Sequence, residues 1–439
     1  MAEIPGTEID PGFDEMLAAT AGIDLSTFDV ASKMAKFAEF PLEEYTARYA
    51  RACRLMEHEG LDAVLVTQDL NVRYFAGYLS ILWASRFRPY VAILPRDASL
   101  GPTLIVPAQE TGNATHTSWI ADLVIYPDQE NPIPYIADAL AEKGLGGKIG
   151  TELGFGQRIG MTVNQLEALK TTIAPAEIVD ATPLTQAVRM IKSQREVDCL
   201  RRACAISQAG IKAGYESLVP GMSEKELASI IGSTMYAEGA ELGTQPSFFG
   251  LNAGPERYKV VNALASEYRI QPGDLVMADC GAVYHGYSTD FIRQACLGEP
   301  TAEQRKWFSI AVEANQACID AIRPGVTGAD VYEAGIAVFE REGLLDYNVL
   351  NIVGHGTGME IHELPWLGER DSVYTAGTVL QPGMVVCIEP IIAGMDGPDW
   401  QAGLFIVEEK VLVTDDGAEV LTDALSPELW VQPIAETSA

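Results

Sequence analysis

Four carboxylates stand inside stretches that otherwise read as buried β-strand, and this constrains the chain more than any other feature. Asp279 and Asp290 lie in DLVMADCGAVYHGYSTDFIRQA (residues 274–295), Glu389 interrupts MVVCIEPII, and Glu408 sits in LFIVEEKVLV beside Glu409. Central strands of a buried sheet run as continuous apolar segments, so a carboxylate within one is expected to be protonated, paired or metal-bound. The first segment reads as a hairpin turning at Tyr-His-Gly, with Asp279 and Asp290 symmetric about the turn and facing each other. Like charges facing across an antiparallel pair repel, and burial adds a desolvation cost, so a metal ion between them is the economical explanation. An exposed hairpin with two harmless aspartates is the alternative for this segment. A salt bridge or an edge position is the alternative for each glutamate taken singly. Recurrence in three segments favours one shared cause.

The segment NIVGHGTGMEIHELPW (351–366) supplies nitrogen to this set. Of five histidines in the chain, His355 and His362 stand seven residues apart here. Gly354, Gly356 and Gly358 flank His355 and let its backbone approach a site closely, and neutral imidazole is the common nitrogen ligand beside carboxylates. One histidine with four carboxylates forms a hard, oxygen-rich set suited to Mn, Fe, Co or Zn. Two bridged ions fit it better than one, which would be over-supplied with negative charge. The G-x-G-x-G run has neither the spacing of a dinucleotide fingerprint nor the Lys-Ser/Thr of a phosphate loop. His58, His116 and His285 read as surface or structural residues.

With 439 residues and 48% hydrophobic content, the chain can bury a large core in two or three domains. Residues 1–40 carry no sustained period and read as an extension. Residues 41–185 alternate helix-like and strand-like runs (PLEEYTARYARACRLMEHEG, LDAVLVT, YVAILP, TLIVPA) and read as an α/β domain. Ser193 followed by Glu196 is a capping-box signature at the head of a long amphipathic helix, and residues 190–439 form the second domain. That domain is expected to hold four helices, strands near Ser247 and Val276, and three strands toward the C terminus. Seven scattered cysteines without a C-x-x-C pair suit reduced thiols and a cytoplasmic location. A formal charge of -31 leaves no basic stripe for nucleic acid, and no apolar run is long enough for a membrane span.

Together these motifs are recognisable. Asp279 and Asp290 ending in Thr-Asp-Phe-Ile-Arg, GHGTG with HELP, IEP at Glu389 and EEKVLVT at Glu408 resemble the pita-bread metallopeptidase family, which includes methionine aminopeptidase, aminopeptidase P, prolidase and creatinase. NVRYFAGY (71–78) resembles the creatinase and prolidase amino-terminal domain. The resemblance implies an α/β amino-terminal domain followed by an α+β pita-bread catalytic domain. It also implies two divalent metal ions, with Asp279 on one, Asp290 and Glu408 bridging, and His355 and Glu389 on the other. A metal-bridging hydroxide would be the nucleophile, Glu389 would shuttle the proton, and His362 would hydrogen-bond the substrate carbonyl or oxyanion. The expected activity is hydrolysis of a C–N bond in a small molecule or Xaa-Pro-type dipeptide, by a homodimer.

Two positions depart from the family pattern. Proline-directed relatives usually carry a histidine where this chain has Asn262, a neutral amide that donates a hydrogen bond but no proton. Ile406, two before Glu408, stands where relatives usually carry arginine. The outer shell that defines an Xaa-Pro peptidase is therefore altered. A lyase of the same fold, like the dimethylsulfoniopropionate lyases, and a non-catalytic binding module are the alternatives. In the first domain SILWASRFRPY offers Trp83, Arg86 and Arg88 as residues reaching a partner subunit's pocket, or equally a loop whose Trp83 packs on its own domain.

Overall fold

Three apolar runs of the first domain, in LDAVLVT, YVAILP and TLIVPA, are buried at every strand position, which is why they show no polar alternation. They form the middle of a mixed six-stranded sheet in the computed structural model, which describes residues 13–85, 87–241, 249–257, 260, 262–348, 350–370, 372, 378–393 and 404–434. The chain divides into two units, Met1–Arg189 and Met190–Ala439.

In the first unit the strands are β1 (Ala63–Val66), β2 (Val91–Pro95), β3 (Thr103–Pro107), β4 (Asp122–Tyr126), β5 (Lys148–Thr151) and β6 (Glu177–Asp180), in the order β4-β3-β2-β1-β5-β6. Pairs β1/β2 and β2/β3 are antiparallel, whereas β1/β5, β3/β4 and β5/β6 are parallel, the last two joined through helices. Leu65, Ile93 and Ile105 from the sheet pack against Ile136 and Leu140 of helix Ile133–Glu142 and Leu169 of helix Val163–Ile173. The amphipathic helix Leu42–Glu59 stops at Gly60, whose left-handed φ of 67° suits glycine. One buried carboxylate fixes the end of the sheet. Glu152 accepts from the Thr67 N–H (3.1 Å) and hydroxyl (2.8 Å), the Gln68 N–H and the Asn71 amide (both 3.3 Å), so it holds the start of helix Asp69–Ala76.

In the second unit the strands are β7 (Phe249–Ala253), β8 (Leu275–Cys280), β9 (Val283–Tyr284), β10 (Tyr287–Ser288), β11 (Ile292–Leu297), β12 (Ile352–Gly356), β13 (Glu363–Gly368), β14 (Val385–Ile388), β15 (Ile391–Ala393), β16 (Leu404–Ile406), β17 (Glu409–Val413), β18 (Ala418–Val420) and β19 (Trp430–Gln432). They pair as β19-β11-β8-β7 and β13-β12-β14-β17-β18, with two small ribbons β9/β10 and β15/β16. The strand expected near Ser247 begins at Phe249, residues 242–248 lying outside the described set. Among the described residues six strands follow residue 384 where the sequence suggests three, because runs of three to five residues are too short to show a period.

Helices Gln194–Ser217, Glu224–Ala237, Ala302–Ala321 and Gly328–Arg341 each open with a reciprocal capping box, from Ser193, Ser223, Thr301 and Thr327. The first pair covers one apolar core with Ile211, Leu227, Ile231 and Val276, and the second pair another with Phe308, Ala314, Phe339 and Ile406. Among the described residues all seven cysteines are free, and no helix is long and apolar enough to cross a membrane.

The hairpin register corrects one expectation. His285 and Gly286 both have positive φ, 48° and 81°, and Tyr284 pairs with Tyr287 across this two-residue turn. Counting outward, Asp279 faces Ile292, so Asp290 is its diagonal neighbour and not its direct partner. The position level with Asp290 is Gly281, where a Cβ would strike the Thr289 carbonyl oxygen.

Replacing Glu152 by alanine strands several buried donors. The expected cost is about 3 kcal/mol, read as a lower urea midpoint, and an unchanged midpoint would show that water satisfies those donors.

Candidate metal centre

Asp279 is the last residue but one of β8, Asp290 precedes β11, His355 lies in β12, Glu389 follows β14 and Glu408 precedes β17. Oxygens of Asp279, Asp290 and Glu408 come within 4.8 Å of one another, and all three side chains are buried. Asp279 Oδ1, Asp290 Oδ1, both Glu408 oxygens and His355 Nε2 are buried and receive no hydrogen bond among the described residues. Buried polar atoms are normally paired, so five unmatched acceptors facing one point describe a site for cations. The carboxyl groups respond as this crowding requires. Burial, then the charges of Asp290 and Glu389, push Asp279 well above the ordinary carboxylate range. Burial and the Asp290 charge do the same to Glu408. Burial also raises Asp290, against the pull of His355.

His355 is fully buried, and its Nδ1 lies 2.9 Å from the Gly356 carbonyl oxygen, so Nδ1–H donates there and Nε2 is the acceptor. Nε2 stands 3.3 Å from Glu389 and 3.7 Å from Asp290. Burial pulls the imidazole pKa down, but the neighbouring Glu389 and Asp290 charges outweigh it and the net direction is upward. The glycines around His355 serve strand contact. A Cβ at Gly354 would strike the Cys387 carbonyl of β14, and one at Gly356 the Leu364 carbonyl of β13.

His362 sits at the rim, its side chain 46% exposed, with Nε2 3.9 Å from Asp290. Its ring lies 4.2 Å from that of His355 and is stacked near Trp366 at an interplanar angle of 18°. Burial first, then His355, lowers its pKa to about 4. Behind it Lys192 and Glu363 form a buried ion pair at 2.6 Å, which anchors the residue following His362.

Asn315 carries no motif that sequence reading could use, and Arg293 ends the Thr-Asp-Phe-Ile-Arg run without showing what it holds. Asn315, buried in helix Ala302–Ala321, donates to the carbonyls of Ile388 (2.6 Å) and Val407 (3.1 Å), the residues just before Glu389 and Glu408. Arg293 donates to the Glu408 carbonyl (2.7 Å) and pairs with Glu409 at 2.6 Å. The single legible signal was the buried charge itself, an arginine inside the apolar run of β11.

The remaining sequence candidates are not among these ligands. Asn262 is exposed in the loop between β7 and β8. Ile406 is buried and pairs with Ile391 in the apolar core. Trp83 is buried beside Tyr78 within the first unit, Arg88 is paired with Asp128, and Arg86 lies outside the described residues.

Comparison with known proteins follows the same division. The family model described as Metallopeptidase family M24 matches residues 198–415, and that of the Creatinase/Prolidase N-terminal domain matches residues 48–191. The chain is 29% identical over 375 residues to an Xaa-Pro dipeptidase of Pyrococcus furiosus, covering 85% of this chain and 97% of the relative. Among solved structures, an Xaa-Pro dipeptidase from Bacillus anthracis superposes with a TM-score of 0.75 at 26% identity, covering 88% of this chain and 99% of that one. The prolidase from Pyrococcus horikoshii gives 0.72 at 26% identity, covering 86% and 98%.

The chain belongs to the pita-bread metallopeptidase family. Within it, the amino-terminal unit places the chain among proteins built on the creatinase and prolidase plan. It is a metal-dependent hydrolase, of a family that works with two divalent metal ions.

Glu408→Gln tests the crowding. Without metal the variant should be more stable than the wild type by about 1 kcal/mol or more, because one buried charge is gone. Mn2+ should raise the unfolding temperature of the wild type and leave the variant's unchanged. Equal behaviour in chelator and in Mn2+ would remove Glu408 from the ligand set.

Proposed function

We propose that this enzyme hydrolyses the peptide bond of Xaa-Pro-type dipeptides at the centre formed by Asp279, Asp290, His355, Glu389 and Glu408. The observation that carries the reading is the convergence of unmatched buried acceptors from Asp279, Asp290, Glu408 and His355, a donor set that fits two hard or borderline divalent cations. Two of the relatives reported above are named as Xaa-Pro dipeptidases, and one as a prolidase, which supports the substrate class. When bound, the cations supply an activated water and polarise the scissile carbonyl.

The protein's own part is positioning and proton transfer. Glu389, 15% exposed beside His355, is the ligand candidate placed to take a proton from the attacking water and return it to the leaving nitrogen. His362, at the rim, is placed to hold the carbonyl oxygen as charge develops on it. Asp290 and Glu408 would serve both ions, Asp279 one of them, and His355 with Glu389 the other. Asn262 offers hydrogen bonding alone at the position where proline-directed relatives carry histidine, so recognition of the proline side is weaker here than in those relatives. The homodimer and the cytoplasmic location belong to the same proposal.

A panel of Xaa-Pro dipeptides assayed with Mn2+-loaded protein tests the substrate class. Turnover is expected in the wild type, with Asn262→His raising kcat/KM at least threefold. Silence in both proteins, with two Mn2+ bound, would move the substrate to other small amides.

His362→Ala is expected to lower kcat by roughly 100-fold while Mn2+ binding is retained, the size seen when one oxyanion donor is lost. Steady-state kinetics beside a metal titration separate the two effects. A fall in metal affinity alone would make His362 a ligand.

A further inference from the structure

Lys410 is a lysine with no exposed surface, two residues beyond Glu408 on β17. An ammonium group is rarely buried unless something nearby repays its lost hydration. Its Nζ lies 2.9 Å from the Thr357 hydroxyl, 3.4 Å from the Ser288 carbonyl oxygen and 3.5 Å from Cys387 Sγ. Each of these groups stands two residues from a candidate ligand: Ser288 from Asp290, Thr357 from His355, Cys387 from Glu389. The spacing has a structural cause. Residues two apart on a strand share a face, and the ladders pair His355 with Cys387 and Cys387 with Lys410. One amine thus meets the segments of all four of these ligands directly beside the metal layer.

Backbone contacts tighten this layer. The Thr357 hydroxyl also reaches the Ser288 carbonyl at 3.5 Å, and the Ser288 N–H donates to the Gly358 carbonyl at 2.8 Å. Charge points the same way. Asp279, Asp290, Glu389 and Glu408 balance two divalent cations, and the negative charge that develops on substrate during attack is additional. On the other side of Glu408 stands Ile406, an uncharged side chain in the apolar core, so no positive charge comes from that position.

We propose that Lys410 is a positioning residue for the dinuclear centre, holding the Asp290, His355, Glu389 and Glu408 segments at the spacing two metal ions require and supplying a fixed positive charge beside them. The inference rests on the ligand set proposed above.

Lys410→Met keeps the unbranched stem of the side chain, one atom shorter, and removes its charge and donors. Replacing a buried ion by an apolar side chain of similar size is often neutral for folding. The metal-free variant is therefore expected to unfold within a few degrees of the metal-free wild type. Calorimetric titration with Mn2+ should show at least a tenfold weaker second binding event. The visible absorption of the Co2+-loaded variant should shift, reporting altered ligand geometry independently of turnover. Thr357→Val, which keeps the amine and removes its shortest contact, should weaken the second site in the same direction by about threefold, and it decides the matter if Lys410→Met does not fold. Unchanged second-site affinity and an unchanged Co2+ spectrum in a folded Lys410→Met protein would overturn the proposal, as would an unchanged Thr357→Val protein where Lys410→Met fails to fold. A wild type that binds no metal would instead overturn the ligand set itself.

Discussion

Repulsion among Asp279, Asp290 and Glu408 governs the second unit. Their oxygens lie within 4.8 Å of one another in a buried place, and among the described residues one or both oxygens of each accept no hydrogen bond. Such an arrangement raises the free energy of the folded chain until cations enter, and the surrounding fold has to hold it against that strain. Rigid sheets do this better than loops, because a strand cannot move one residue without moving its ladder partners. Four of the five ligand candidates sit at or beside strand ends in two sheets, and His355 lies within β12 itself.

The supporting groups act on backbone as much as on side chains. Asn315 holds the carbonyls preceding Glu389 and Glu408, and Arg293 holds that of Glu408. Both are buried, and both span long separations in sequence, 73 and 92 residues for the two bonds of Asn315. The first unit shows the same economy at smaller scale, where one carboxylate, Glu152, organises a helix start through bonds to Thr67, Gln68 and Asn71.

Much of this was legible before any coordinates. The apolar runs that became β1, β2 and β3, the capping box at Ser193, and the anomaly of carboxylates inside strands follow from local patterns. Other features were not. Asp279 and Asp290 looked like direct partners, whereas the turn at His285 and Gly286 sets Asp279 opposite Ile292. The glycines around His355 read as letting its backbone approach a site, and the pattern did not show that Gly354 and Gly356 also admit the neighbouring strands β14 and β13. Trp83 could be read as a reaching side chain or as packing within its own domain, and the structure places it beside Tyr78.

The sequence by itself determined which chemical groups would be buried where charge is costly, because strand period and hydropathy depend only on near neighbours along the chain. It therefore announced a cation site and the family that builds one. Tertiary structure decided which groups meet. Lys410 and Ser288 are 122 residues apart, and nothing local in either segment specifies their contact. That contact depends on the pairing of β12, β14 and β17 and on the packing of that sheet against the hairpin of β8 and β11, which is settled by the whole core and by no single stretch of sequence.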